Sequence, residues 1–374
     1  MKTHLGRPTA AEINLSHLAG NLESIRGYLK SRTKILAVVK ADAYGHGALP
    51  VASKLIELGV SHLGVATIKE GRELRDGGIA EEIIVLGGVM PDHLDEAISL
   101  GLDVVIGSLQ HLRDIVDESK KIRKKVGIHL KVDTEMGRLG IFPDEAEAAL
   151  KYVDAVEHIE LKGVMSHLSS ADGDGEEDLR HTNKQLKTFG NVAGVLSRRG
   201  ALLHMLNSAG IIRFGEHQHD MVRPGITLYG SLPRAGFEDI GLNPVMTLMT
   251  KIYYMKEFPP GFPVSYGRLY HTKGRERVGV LPIGYADGMR KVLSPGIEVF
   301  VEGKPARVLG AICMDNIMID VTGIAEARVG SEVMIFGKKW NVVSPVERVA
   351  KMADTIPYEI LTGIGKRVPR IFVE

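Results

Sequence analysis

The sequence predicts an α/β plus β protein: a (β/α)8 barrel followed by a mainly antiparallel β-strand domain. Three observations carry that expectation. Short apolar runs alternate with helix-period segments from residue 35 to about residue 230. Eight such runs fit into that stretch. After about residue 235, helical segments become rare and strand-like runs continue between Gly and Pro turns. Strands alternating with helices imply parallel pairing through helical crossovers. Eight units over ~200 residues is the count of a closed barrel, not of an open doubly wound sheet.

The first strand is expected at 35–39, where Ile35, Leu36, Ala37, Val38 and Val39 form a continuous apolar run suited to burial on both faces. The others fall at 63–66, 83–86, 104–106, 128–132, 161–165, 202–206 and 222–228. Helix-period segments lie between them at 49–58, 68–76, 92–99, 143–153 and roughly 177–198. A further helical pattern at 15–29 is expected to span the junction with the second domain. That domain reads as strands at 245–254, 277–281, 297–301, 305–309, 317–321 and 332–335, then a helix at 346–353. The expected division is residues 1–238 for the barrel and 239–374 for the β domain.

Composition narrows the function. With 374 residues, 44% hydrophobic and 25% charged, the chain is an ordinary globular sequence long enough for two domains. A net charge of +1 gives no reason to expect nucleic acid or an acidic membrane surface. Cys313 is the one cysteine, so no disulfide forms within the chain, and a reducing cytoplasm fits. The N-terminus lacks a signal-peptide core, and no run is long enough for a membrane span. No metal-ligand spacing stands out.

Chemistry collects after the strands. Lys40 ends the first apolar run, and Tyr44, Gly45, His46 and Gly47 follow within seven residues. A lysine held against apolar surroundings loses pKa and becomes an amine able to form a Schiff base. On strand context alone, a surface lysine at a strand end is the better explanation of the position. Arg138 follows the fifth strand, Ser166 and His167 the sixth, and Asn207 and Ser208 the seventh, while Arg223 sits in the eighth. A barrel builds its active site at the C-terminal face, where these five strand ends would converge.

VVKADAYGHG closely resembles the pyridoxal-phosphate lysine motif of alanine racemases, AVVKAxAYGHG. The resemblance extends through KVDTEMGRLG (131–140), SHLSSAD (166–172), HMLNSAG (204–210) and RPGITLYG (223–230). It continues through VSYGRLY (264–270), PIGYADG (282–288), ICMDN (312–316) and PYEILTGIGKRVPR (357–370). It implies an isomerase that interconverts L- and D-alanine by two-base proton transfer on pyridoxal 5'-phosphate, supplying D-alanine for peptidoglycan. Lys40 would hold the cofactor and act as base on one face. Tyr266, reaching the barrel mouth of a second subunit in a homodimer, would serve the other. His167 would activate that tyrosine, tied in turn to Arg223.

Arg223 would face the pyridine nitrogen and keep it unprotonated, since a guanidinium has no acceptor to offer. Tyr44, Ser208, Tyr358 and the amides of Gly225 and Ile226 would hold the phosphate, with Asn207 beside the cofactor. Arg138 and the Met314 amide would bind the substrate carboxylate. Lys131 occupies the position that the family modifies to a carbamate. Tyr270, Tyr285, Cys313 and Asp315 would line the substrate entrance.

Two departures from the family strings stand out. Glu135 replaces the glycine usual in DTGMGRLG, and Asn316 replaces the frequent glutamine after CMD. Rival readings are a racemase of another amino acid and a fold-related pyridoxal decarboxylase. A third is a non-catalytic single-barrel cofactor-binding protein. The YGHG and SYG strings argue against the decarboxylase, and the roughly 140 residues after the barrel argue against the single-barrel protein.

Overall fold

The computed structural model describes residues 6–196, 200–234, 236–237 and 239–374. Two compact units emerge. One gathers the chain up to Asn21, Tyr44–His46 and Tyr229–Glu374; the other holds Leu22–Ala43 and Gly47–Leu228. The chain passes from one unit to the other within the helix Leu15–Arg26.

The second of these units is a closed parallel barrel. Its strands are Lys34–Val38, His62–Val65, Glu82–Val85, Leu102–Ile106, Val126–Lys131, Ile159–Met165, Leu202–Asn207 and Met221–Arg223. The last closes on the first, with Ile35 opposite Val222. Leu36, Leu63, Ile83, Val104, Ile128 and Val164 are fully buried. Each such side chain contributes roughly 1.5–3 kcal/mol by leaving water. The intervening helices include Ala48–Glu57, Ile68–Asp76, Leu109–Ile122, Ala146–Asp154 and Glu176–Leu196. Ile68–Asp76 starts on a reciprocal cap in which Thr67 and Glu70 satisfy each other's backbone amides.

Two expected elements differ. The eighth strand stops at Arg223 instead of running to 228, because Pro224 has no amide to donate; Ile226–Tyr229 coil into a 3-10 turn. The expected helix 92–99 begins at Leu94, after a 3-10 turn at Pro91–His93.

The other unit is a mostly antiparallel sheet. Its order is Tyr254–Phe258, Glu276–Leu281, Ile317–Asp320, Lys304–Leu309, Glu298–Val301, Glu332–Lys339, Met246–Lys251, Ala10–Asn14 and Arg370–Val373. Its one parallel pair along this order is the last, with Ala11 opposite Arg370. The run expected as one strand over 245–254 is two, Met246–Lys251 and Tyr254–Phe258. Among the described residues no helix is long and apolar enough to cross a membrane.

Candidate active site

Lys40 stands just beyond the first barrel strand and opens an unusual turn. Ala41, Asp42, Ala43 and Tyr44 have φ of 52°, 54°, 51° and 54°, and Gly45 follows at 82°. This is a left-handed helical turn made largely of L-residues, each costing about 1–2 kcal/mol relative to the right-handed form. Neighbouring groups hold it. The Ala41 amide donates to Glu70 Oε1 at 2.8 Å, and the Ala43 amide to the Val39 carbonyl at 2.8 Å. The Ala48 amide donates to Asp42 Oδ1 at 2.7 Å. Burial pulls the Lys40 ammonium below its ordinary pKa and the Arg138 charge adds to that, while Glu70 opposes both.

Lys131 ends the fifth barrel strand and is 3% exposed. Burial first, then Arg138 and Arg223, push its amine down to about 8. Arg138 lies on the following loop, which Asp133 organises. Its Oδ1 accepts from the Met136 amide at 2.7 Å and its Oδ2 from the Arg138 amide at 3.1 Å. Glu135, standing where the family's glycine is usual, has φ of 81°. Its carboxylate pairs with Lys184 and lies 3.5 Å from His181 Nδ1.

Arg223 is buried at 3% exposure and held through both terminal nitrogens. It donates to His204 Nδ1 at 2.8 Å, to the Met205 carbonyl at 2.9 Å, to the Ser166 carbonyl, and to His167 Nδ1 at 3.3 Å. The expected Arg223–His167 contact is thus present. Burial lowers the guanidinium to about 9, still protonated at neutral pH. His167 is pushed well below the ordinary histidine range by burial and then by Arg223, Lys131, Arg138 and Lys40. One small space therefore concentrates four cationic side chains with Glu70 and Asp133 as counter-charges. Such a field suits a ligand carrying several negative charges.

Ser208 follows the seventh strand. Its Oγ accepts from the Gly225 amide at 2.9 Å and the Thr227 amide at 3.4 Å, and lies 3.0 Å from Thr227 Oγ1. These contacts gather hydroxyls and amides beside Ile226, which is buried. Asn207 is committed to structure: its Oδ1 caps the helix Ser208–Arg213 by accepting from the Gly210 amide.

In the sheet unit, the Tyr44 ring stacks on Tyr229 at 4.9 Å and leans on Tyr358 at 5.8 Å. A Cβ at Gly45 would meet the Leu361 carbonyl oxygen at 2.5 Å, so only glycine allows that close approach. Tyr266 is 74% exposed on a tight turn in which Ser265, Gly267 and Arg268 all have positive φ. Ser265 Oγ donates to the Ala311 carbonyl and lies 3.4 Å from Cys313 Sγ. The Tyr285 and Ala286 amides donate to the Cys313 and Met314 carbonyls. Tyr266, Tyr285, Cys313 and Met314 therefore sit on mutually bonded segments, and Tyr285 and Met314 are also exposed. Asp315 is held by Arg367 at 2.6 Å. Tyr270 packs beside Val264, Val278 and Leu309, and its phenol is committed to Glu276; burial first, then Glu276, push it up to about 12.

Three contributors had no signal in the sequence reading. Glu70 belongs to a helix start and also holds the turn after Lys40. His204 reads as one polar residue in an apolar strand. Asp133 reads as part of a motif, and its role as loop organiser appears only in three dimensions.

Comparisons with known proteins agree along the whole chain. A family profile described as "Alanine racemase, N-terminal domain" matches residues 13–233, and "Alanine racemase, C-terminal domain" matches 245–372. The chain is 42% identical over 374 residues to an alanine racemase of Halothermothrix orenii, covering 99% of this chain and 98% of that one. It is 40% identical over 372 residues to "Alanine racemase 2" of Caldanaerobacter subterraneus subsp. tengcongensis, covering 98% and 95%. The solved structure of an alanine racemase from Clostridium difficile 630 superposes with a TM-score of 0.92 at 36% identity, covering 99% and 97%.

Proposed function

Because the chain belongs to the alanine racemase family and racemises alanine, we propose that it does so with pyridoxal phosphate carried on Lys40 and with Tyr266 of a second subunit as the opposing base. The observation that carries this reading is Lys40 itself: a strand-end amine at a barrel mouth, its pKa lowered by burial and by Arg138. The donor set fits the cofactor. Arg223 offers only N–H groups to a ring nitrogen, and the cationic cluster suits a phosphate and a phenolate. When bound, the cofactor supplies an electron sink that makes the substrate's α-proton acidic.

The chain's own residues then divide the work. Lys40 takes or returns the α-proton on the face serving D-alanine, and Tyr266 does so on the face serving L-alanine. Arg138 and the Met314 amide orient the carboxylate, so both enantiomers present the α-carbon at one place. A phenol with an ordinary pKa near 10 is a poor base. His167 supports it: with Nδ1 accepting from Arg223, the neutral ring carries its proton on Nε2 and donates outward. Tyr44, Ser208, Tyr358 and the Ile226 amide hold the phosphate, and the Gly225 amide joins them when it exchanges Ser208 Oγ for a phosphate oxygen. Lys131 as a carbamate turns a repulsive neighbour of Arg138 into an attractive one. A homodimer supplies the missing base to each barrel, and the D-alanine product serves cell-wall synthesis in the cytoplasm.

The test is direct. Purified protein supplied with the cofactor converts L-alanine to D-alanine, and borohydride reduction followed by peptide mapping places the pyridoxyl label on Lys40. Lys40→Ala abolishes turnover in both directions. A label on another lysine, or none, sinks the assignment of Lys40.

A further inference from the structure

Behind Arg223, a column of buried polar side chains runs through the barrel interior, where branched aliphatic side chains are the usual filling. Arg223 Nη1 donates to His204 Nδ1 at 2.8 Å, and His204 Nε2 lies 3.0 Å from His129 Nδ1. His129 Nε2 faces Asp103 Oδ2 at 4.0 Å, and Asp103 Oδ1 pairs with Lys162 at 3.1 Å. His204, His129 and Asp103 are 0%, 1% and 4% exposed. Two neighbouring strands leave room for them. A Cβ at Gly163 would come within 2.2 Å of His129 Nδ1, and one at Gly127 within 2.1 Å of Asp103 Oδ1.

The column has one direction. A guanidinium can only donate, so His204 Nδ1 must accept. Burial and the nearby cations keep both imidazoles neutral. A neutral His204 with an accepting Nδ1 carries its proton on Nε2 and donates to His129 Nδ1. His129 must then carry its own proton on Nε2, aimed at Asp103. His129 Nε2 and Asp103 Oδ2 are buried atoms with no hydrogen-bond partner, and they face each other. The carboxylate charge favours the tautomer that turns N–H toward it.

We propose that Asp103 is a positioning residue for racemisation: by fixing the tautomers of His129 and His204 it holds Arg223 in the donor geometry that the cofactor ring meets. This deepens the proposed reading and rests on its placement of Arg223 against the ring nitrogen. Asp103 touches neither cofactor nor substrate; it acts through two imidazoles.

Asp103→Asn tests it at nearly constant shape. The amide oxygen takes Lys162, which leaves an NH2 facing His129 Nε2–H, donor against donor. Reversal passes to His204, and Arg223 loses its acceptor. In the holoenzyme, kcat falls roughly tenfold in both directions, the effect of one lost buried hydrogen bond, while KM for alanine stays near wild type. The pH dependence of the bound cofactor's visible absorption shifts as well. Glu82→Gln removes a charge at the column's foot, 3.7 Å from Lys162, and leaves all of these unchanged.

Nitrogen NMR of 15N-histidine-labelled wild-type holoenzyme needs no variant to fold: both rings show Nε2–H. Nδ1–H on either ring overturns the proposal. So does an Asp103→Asn enzyme with wild-type kcat and absorption. Arg223→Lys separates the two levels. If it alters the cofactor absorption and Asp103→Asn does not, the inference about Asp103 fails alone. If neither alters it, the placement of Arg223 fails first.

Discussion

Arg223 Nη2 lies 3.3 Å from His167 Nδ1, and a guanidinium can only donate, so a neutral His167 that accepts there carries its proton on Nε2. A ring that accepts on Nδ1 and is held neutral by burial and four neighbouring cations can only donate on Nε2. In the proposed site, Tyr266 of a second subunit would meet a donor there that stabilises its phenolate. His167→Leu should raise the apparent pKa of the limb assigned to Tyr266 in the pH profile for L-alanine, with little change for D-alanine. Profiles measured in both directions check this; equal shifts in both would remove His167 from the tyrosine's side.

Lys131 offers a prediction about carbon dioxide. Only a neutral amine can form a carbamate. With its pKa pushed down to about 8, half of the Lys131 amine is neutral near that pH, against well under ~1% for an ordinary lysine with a pKa near 10.4. Protein equilibrated with 13C-bicarbonate should show a carbamate carbon resonance that is lost in Lys131→Ala. The signal should fade as pH drops below about 8, because protonation removes the reactive form. A spectrum identical in wild type and Lys131→Ala would assign the lysine an unmodified role.

Glu135 sits at a backbone angle that favours glycine, φ of 81°, and its charge is taken up by Lys184 and His181. A left-handed non-glycine residue costs about 1–2 kcal/mol, whereas an exposed ion pair returns about 0–1 kcal/mol. Glu135→Gly should therefore leave stability equal or slightly higher in thermal unfolding. KM for alanine should stay within about twofold, since this carboxylate faces the helix Glu176–Leu196. A large fall in KM would show instead that Glu135 repels the substrate carboxylate at Arg138.

Asp103 links the buried column to stability. Burial raises its carboxyl from 3.8 to about 6, so the folded chain holds this proton more tightly than the unfolded chain does. The resulting stability is fully present below the unfolded pKa and is lost as pH rises through about 6. A residue that does not titrate escapes this loss. The stability of Asp103→Asn relative to wild type, measured by urea unfolding, should rise between pH 4 and pH 7 by up to about 3 kcal/mol. A constant difference across that range would mean the carboxyl titrates normally.

The same column explains where sequence reading succeeded and where it fell short. The barrel is legible because Ile35–Val39, Ile83–Val85 and Val104–Ile106 are unbroken apolar runs, and eight largely apolar runs alternating with helices allow few other architectures. The reading began most strands one or two residues late. His62, Glu82 and Asp103 fall just outside the apolar runs, yet they pair within the barrel, with His62 opposite Glu82 and Ile84 opposite Asp103. An apolar-run criterion cannot see a strand whose interior end is polar. The Lys40 turn was invisible for another reason: Ala41, Asp42 and Ala43 carry no glycine signal for a left-handed path, which Glu70 and Asp42 impose through their side chains. Ala10–Asn14 and Arg370–Val373 were missed because each is completed by a partner far away in the sequence. The motif residues were located by resemblance, but His204, Glu70 and Asp133 show their roles only through contacts.

The proposal that two subunits share each site predicts how they complement one another. Lys40→Ala and Tyr266→Phe are each inactive as homodimers, yet a mixed dimer contains one site with both bases. Mixing the two under subunit-exchange conditions should restore up to about a quarter of wild-type activity, from half the dimers with one working site each. Mixtures that stay inactive after demonstrated exchange would place both bases on one chain.

Exchange of the α-hydrogen into deuterium oxide tests the central claim, two bases on opposite faces, most directly. In Tyr266→Ala holoenzyme, exchange from L-alanine should fall by ~10²–10⁴, the usual value of a lost general base, while exchange from D-alanine through Lys40 falls far less. Equal losses for the two enantiomers would contradict the account and leave racemisation to a single base.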